Sequence, residues 1–496
     1  MHDQPRYPSA PADPWQTTAL HHLPAPTRAL PTDLLGEAVP PRRSRRRRTM
    51  LIAIALGAAL VAGSLTYAGV SYWYGWSSTQ PEAILPSTVN AFVRMDFSPG
   101  LGQRIKLGNL AKKFPAATDK DAVEQLKQGL VNDLGLDPLS YDDIKAWLGD
   151  RVGLGTWPTA GATSRCTVAA LASRNDGLAA TALTRVRQRR SPAAFAFKVS
   201  NGYAVYASCA DQNSQSALDA MLAQAKTRTL ADRPDFADDL SALPAGQVAV
   251  AWANLPDGVT GLHDLLVESD LGNLDLAGLR GTVLLGARAT DNGVEARYRA
   301  HLGSHPSRPA RDVVSALGAL PGGTVVGVGA DLSSFQPGTI PTNTAKVGLV
   351  DLIPTLLGGT VSISVSDVRS SSSALRLVIA AADESRAARI ASALGGPFNG
   401  AFTGISVNRS GNTVTASSNS YRPGTGTLAG VSTFTAAFDG APTDSLVAAY
   451  VDMTSVAAQS KFSPDEAGQL APVKAVGFTT GYDGDTLVGL LRILIP

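Results

Sequence analysis

Short apolar runs that open on a small-or-Leu-Pro step and close on a polar residue recur four times along this chain. Leu85-Pro86 leads into Val93-Arg94-Met95-Asp96, and Leu243-Pro244 into Val250-Ala251-Trp252-Ala253-Asn254. Leu320-Pro321 leads into Val328-Gly329-Ala330-Asp331, and Ala441-Pro442 into Ala449-Tyr450-Val451-Asp452. Each run has strand length, and proline fits ahead of it because no ladder donor is needed there. The stretches between correspond too: Trp147-Leu148-Gly149-Asp150-Arg151-Val152 resembles Leu356-Leu357-Gly358-Gly359-Thr360-Val361. Two β-runs follow each, then a helical stretch, Gly177 to Gln188 or Glu384 to Leu394. Hairpins come next. Phe195–Val199 turns at Asn201-Gly202 into Tyr203-Ala204-Val205, and Ile405-Ser406-Val407 turns at Ser410-Gly411-Asn412 into Thr413-Val414. Asn-Gly and Gly-Asn favour two-residue hairpin turns. Both halves close on a hairpin, at Asp291-Asn292-Gly293 and at Asp483-Gly484-Asp485.

Repetition on this scale predicts two tandem units, 81–303 and 311–496, joined by a proline-containing linker at 304–310. Short connections and glycine turns predict an α+β fold. A disordered N-terminal tail and a single transmembrane helix precede two tandem pseudo-repeat units of antiparallel sheet, with helices packed on one face. In Asp121 to Leu136, Val123, Leu126, Leu130 and Leu134 recur at three- and four-residue steps, the pattern of a helix facing a sheet. Its counterpart, Leu349 to Leu357, is shorter and interrupted by Pro354.

Ahead of the first unit the pattern changes. Arg42, Arg43, Arg45, Arg46, Arg47 and Arg48 run into an uncharged segment that reaches Gln80, and Leu51 to Trp73 is apolar. About 20 such residues suffice for a bilayer span. A cleaved signal peptide has a shorter n-region and a shorter apolar core, so 49–75 reads as a transmembrane signal anchor. Basic residues stay inside, which predicts a single-pass protein of the cell membrane, its N-terminus cytoplasmic and its C-terminal region extracytoplasmic. The membrane is thus one expected partner, and the arginine run suits anionic headgroups. Residues 1–48 hold nine prolines and little apolar material, which predicts a disordered cytoplasmic tail.

Charge supports this division. The net charge of +2 hides a tail with eight arginines against four acids, while the remainder is slightly acidic. The folded part therefore carries no basic excess for nucleic acid. Cys166 and Cys209 are the two cysteines, both on the predicted outer side, where disulfides persist. A bond between them would close a loop of about 44 residues; two buried free thiols are the alternative.

Leu85-Pro86 with its strand to Asp96, Phe114-Pro115, Trp147-Leu148-Gly149 after Asp142-Asp143, and Asp235-Phe236 ahead of Leu243-Pro244 form a recognisable set. On these residues the chain resembles the domain of unknown function 3352 family over 81–496. The resemblance implies a membrane-anchored or secreted bacterial envelope protein and implies no catalytic or ligand residues. The second unit departs from it, lacking the tryptophan before its Leu-Gly step.

Motifs for chemistry are absent from the sequence: no phosphate-binding Gly-x-x-x-x-Gly-Lys loop, no His-Glu-x-x-His, no Cys-x-x-Cys, no Gly-x-Ser-x-Gly. His263, His301 and His305 read as surface or linker histidines, Gly424-Thr425-Gly426 as a flexible loop, and Asp483 and Asp485 as turn residues. Asp96, Asp331 and Asp452, which close three of the strand phrases, are the weak ligand-binding candidates. Each either converges with the others on one groove or accepts hydrogen bonds from its own turn. No metal and no cofactor is expected. The sequence favours a binding protein whose partner is a hydrophobic ligand or an envelope protein, held in a groove between the two units. The alternative is an envelope hydrolase using convergent carboxylates.

Overall fold

Sixteen strands join into one sheet. The computed structural model describes residues 79–114, 136–158, 165–191, 193–210, 213–255, 280–302, 312–333, 359–369, 374–395, 404–460 and 462–496, with Gln128 and Leu134. In chain order the strands are Ala91–Asp96 (β1), Leu148–Pro158 (β2), Arg165–Ser173 (β3), Ala196–Ser200 (β4), Tyr203–Cys209 (β5), Ala249–Leu255 (β6), Gly281–Thr290 (β7) and Gly293–Leu302 (β8). Val326–Asp331 (β9), Thr360–Asp367 (β10), Ala374–Ala380 (β11), Ile405–Ser410 (β12), Thr413–Ser418 (β13), Asp444–Asp452 (β14), Ala475–Asp483 (β15) and Thr486–Leu494 (β16) follow. The sheet order is β12-β13-β11-β10-β9-β14-β15-β16-β8-β7-β6-β1-β2-β3-β5-β4. Read inward from either edge, the two halves have the same order.

This corrects the expected fold class, two units each with its own sheet and helices on one face. β8 and β16, the closing strands, pair with each other. Val294 lies opposite Ile493, Leu487 opposite Ala300, and Arg297 opposite Leu490 at the midpoint. An approximate two-fold axis therefore passes through the Arg297–Leu490 pair. The physical reason is the edge: each closing strand would otherwise expose a row of unpaired N–H and C=O groups, and pairing removes two edges at once. Period-two patterning shows which face of a strand is buried but not which strand sits beside it.

Helices also cover both faces, not one. On the first face, Ser214–Thr227 and Pro234–Ala242 lie in one half, and Val313–Gly318 and Ser432–Ala437 in the other. Phe236 packs edge-on to Trp252 at 6.1 Å, and Phe434 edge-on to Tyr450 at 5.3 Å, at matching places. On the second face, Asp176–Arg190 closes a core with Trp147, Leu171 and Tyr206 at one end of the sheet. Glu384–Gly395 does the same with Ile379 and Val414 at the other end. The middle of the second face stays open enough that Leu285 is 42 %, Val328 41 % and Leu491 37 % exposed. Two-sided burial was written in the uninterrupted apolar run Val168-Ala169-Ala170-Leu171, all 0 % exposed, a pattern that alternating strands lack.

The repeated Leu-Pro phrase has a structural task. Pro86 bridges to Thr229 and Pro321 to Thr427, outside the named strands. Behind each bridge, the N–H of Leu230 donates to the carbonyl of Leu85 at 2.9 Å and that of Leu428 to Leu320 at 2.7 Å. Two buried leucines thus clasp each strand entry to a one-turn helix. Asn201 and Gly202 take φ of 55° and 75° between β4 and β5, the left-handed conformation that a two-residue hairpin requires. At Gly329 a Cβ would stand 2.8 Å from Val313, so the helix Val313–Gly318 packs directly on the backbone of β9.

The membrane reading is also corrected. Among the described residues no helix is long and apolar enough to cross a membrane. A span needs about 20 apolar residues, and the helix Asp176–Arg190 has 15 residues and several charges. The tail 1–48, the segment 49–75 and the flanking Arg42, Arg43, Arg45, Arg46, Arg47 and Arg48 lie outside the described residues, as do the linker 304–310, Leu349 to Leu357 and most of Asp121 to Leu136. The single-pass localisation and the membrane as a partner therefore have no support in the structure.

Candidate functional site

The three strand-end aspartates do not converge. Six strands separate β1 from β9 in the sheet, so Asp96 and Asp331 lie about 34 Å apart at the usual strand spacing. β9 and β14 are neighbours but antiparallel, Val326 opposite Val451, which sends Asp331 and Asp452 to opposite ends. Each carboxylate instead accepts from the N–H two residues on: Ser98 at 2.9 Å, Ser333 at 2.9 Å and Thr454 at 3.0 Å. Asp96 also faces Arg151 at 3.3 Å. Asp452 caps the helix Met453–Gln459, taking a further N–H from Ser455 at 3.2 Å. Replacing it with alanine is expected to cost about 1 kcal/mol, measurable as a lowered denaturant midpoint.

Other carboxylates also have structural partners. Asp143 closes a capping box with Ser140. Ser140's side-chain and backbone hydrogen bonds, with Arg185, hold its carboxyl down at about 2. Glu82 is buried beside Arg94, and burial raises its pKa despite that partner. Among the described residues no group of three or more His, Cys, Asp or Glu is placed to hold a metal ion.

A different constellation lies at the two-fold axis. Along β8, Glu295, Arg297, Arg299 and His301 occupy every second position and so share one face. That face is the one covered by Pro234–Ala242 and Ser432–Ala437. Glu295 is 1 % exposed and meets three guanidiniums: Arg288 at 3.0 Å, Arg297 at 2.9 Å, and Arg492 across the β8–β16 pairing. Asp239, also 1 % exposed, meets Arg299 at 3.3 Å and His301 at 2.8 Å. Arg299 reaches Asp483 as well, at 3.3 Å, and Arg492 lies 3.8 Å from Asp439; these two carboxylates are largely exposed. Burial works to raise the pKa of Glu295, but hydrogen bonds from Arg297 and Arg492 and the charges of Arg297 and Arg288 prevail and hold it at about 2.

Above this ionic floor is a groove of about 270 Å³. Its walls come from both halves: Leu243 from the first, Ala441 and Pro442 from the second, with Arg297, Arg299 and Leu490 between them. Leu243-Pro244 and Ala441-Pro442 are two copies of the phrase that opens a strand, so the axis brings the repeat face to face with itself. Asp483, named as a turn residue by the sequence, stands at this groove; Asp96, Asp331 and Asp452 do not line it.

The signal for this site was present in Val294-Glu295-Ala296-Arg297-Tyr298-Arg299-Ala300-His301. Alternation of that kind ordinarily predicts a polar face in water. Here the orientation is inverted: the charged face is under helices, while Tyr298 and Ala296 share the half-open second face. No family model, no curated protein and no solved structure matches the chain.

Proposed function

We propose that this protein is a binding protein that holds a small ligand in the groove where its two halves meet. One observation carries the reading: the groove is walled by both halves at their symmetry axis, and its floor combines apolar residues with buried charge. Pockets commonly form at such junctions and join an apolar lining to a few convergent polar groups. Leu243, Ala441, Pro442 and Leu490 suit the apolar body of a ligand. A volume near 270 Å³ falls just below the usual range of about 300–1,000 Å³ for such sites, which favours a compact molecule over a polymer or a protein segment. The separated strand-end aspartates lend no support to hydrolase chemistry.

Thr443 lines the rim and is exposed, so Thr443→Trp narrows the groove without disturbing a core. Native mass spectrometry of the full-length protein purified from its own host is expected to find a small molecule bound to the wild type and missing from Thr443→Trp. A ligand retained equally by both proteins places binding elsewhere.

A further inference from the structure

The charges around the groove specify what it binds, provided the groove is the ligand site. We propose that it takes the oxyanion of a small molecule, a phosphate or carboxylate group, with Arg297 and Arg299 as donors. Four guanidiniums, from Arg288, Arg297, Arg299 and Arg492, gather within two residues of the axis on β7, β8 and β16. Among the described residues, two buried carboxylates face them. Glu295 is shared by three arginines, and Asp239 is shared by Arg299 and His301. Asp483 and Asp439 bring the carboxylates to four, equal to the arginines, but both are largely exposed, so only the buried part of the cluster is short of negative charge and water screens the rest.

Arg492 has its own structural tasks, donating to the Ala436 carbonyl at 2.8 Å and pairing with Glu295. Arg297 and Arg299 are more loosely held on their groove side. Arg297 Nη1 donates to the Gly440 carbonyl at 3.3 Å, and Arg299 Nη1 to Asp483 at 3.3 Å. Both bonds are long for a guanidinium. The Asp483 side chain is 69 % exposed, so water can solvate it once it lets go. An incoming oxyanion therefore displaces Asp483 from Arg299 and gains the planar fork that guanidinium offers to carboxylate and phosphate. Asp483 acts as a resident competitor, occupying the donor until the ligand arrives.

The test is calorimetric titration of the full-length protein with inorganic phosphate at fixed ionic strength, with acetate in parallel to separate the two headgroups. One saturable site is expected for at least one anion. Arg299→Gln is expected to weaken it at least about tenfold, the loss of a charged hydrogen bond. Asp483→Asn is expected to tighten it, because the competitor loses its charge; this position is exposed, so the variant folds even where Arg299→Gln does not. Arg409→Gln, on exposed β12, leaves it unchanged. Absence of saturable binding by both anions, or equal affinity in wild type, Arg299→Gln and Asp483→Asn, overturns the assignment. If a neutral molecule is retained by the wild type and lost from Thr443→Trp while neither anion binds, the groove remains the ligand site and only the oxyanion falls. If neither anion binds and nothing is lost from Thr443→Trp, both readings fall.

Discussion

Glu295→Gln is expected to destabilise the protein by about 3–5 kcal/mol, the cost of removing one partner from a buried ion pair. The substitution keeps the shape and one acceptor oxygen but deletes the buried carboxylate that, among the described residues, faces Arg288, Arg297 and Arg492. Three guanidiniums would then crowd the junction of the two halves, where Glu295 is 1 % exposed. Denaturant titration of the purified full-length protein checks this, and a change under about 1 kcal/mol would show that the arginines find other partners. The acid side gives an independent reading. The Glu295 carboxyl is held at about 2 against an ordinary 4.5. A depressed folded-state pKa contributes stability that is fully present above the unfolded value and is lost as pH falls through the folded one. The gap between wild type and Glu295→Gln should therefore be widest above pH 4.5 and narrow as pH drops to about 2.

Buried ion pairs seldom add net stability over well-packed apolar groups, so the placement of this one calls for another reason. β8 and β16 are quasi-equivalent strands with apolar residues on their second face, and apolar contacts alone tolerate a register slip. A shift of one residue would put Glu295 and Arg492 on opposite faces of the sheet. The charged cluster therefore fixes the register in which the two halves meet, and with it the walls of the groove. Its asymmetry matters too: the axis places Arg297 opposite Leu490, so one half supplies the central charge and the other an apolar contact.

Local structure was legible from local chemistry. Asn201-Gly202 announces its hairpin because few other dipeptides accept two positive φ values. The helical stretches Gly177 to Gln188 and Glu384 to Leu394 fall within two residues of the ends of Asp176–Arg190 and Glu384–Gly395. The long-range arrangement was not legible, for a physical reason. Strand pairing depends on which edges find each other, and the residues of β8 and β16 carry no mark of their partner. Inversion of β8 misled further, since an alternating Glu-x-Arg-x-Arg-x-His series ordinarily faces water. The aspartates that close strands drew attention because they recur, yet recurrence reflects a shared turn requirement. The groove residues recur only in part. Leu243 and Ala441 are paired by the repeat, while Arg297, Arg299 and Asp483 become neighbours only through the β8–β16 pairing.

Replacing both cysteines, Cys166→Ala with Cys209→Ala, is expected to cost about 4 kcal/mol in the chain-entropy account. Cys166 and Cys209 are bonded, 43 residues apart in sequence, and they stand directly opposite each other on β3 and β5. Their Cα atoms are 4.3 Å apart, the spacing of a non-hydrogen-bonded antiparallel pair, so the pairing of the strands already sets the partners side by side. The bond lies in the core with Trp157, Val168 and Met221, and both residues are at most 5 % exposed. Reductant therefore reaches it only after β5 opens, and the wild type should resist reduction under native conditions and yield to it in denaturant. Four strands lie between β3 and β8, beyond the range at which substitutions usually couple. The cysteine variant should accordingly keep its affinity for whatever the groove binds. Combined with Glu295→Gln, its cost should add to within about 0.5 kcal/mol. A clear departure from additivity would mean that the edge of the sheet and the junction of its halves unfold as one cooperative element rather than as separate sites.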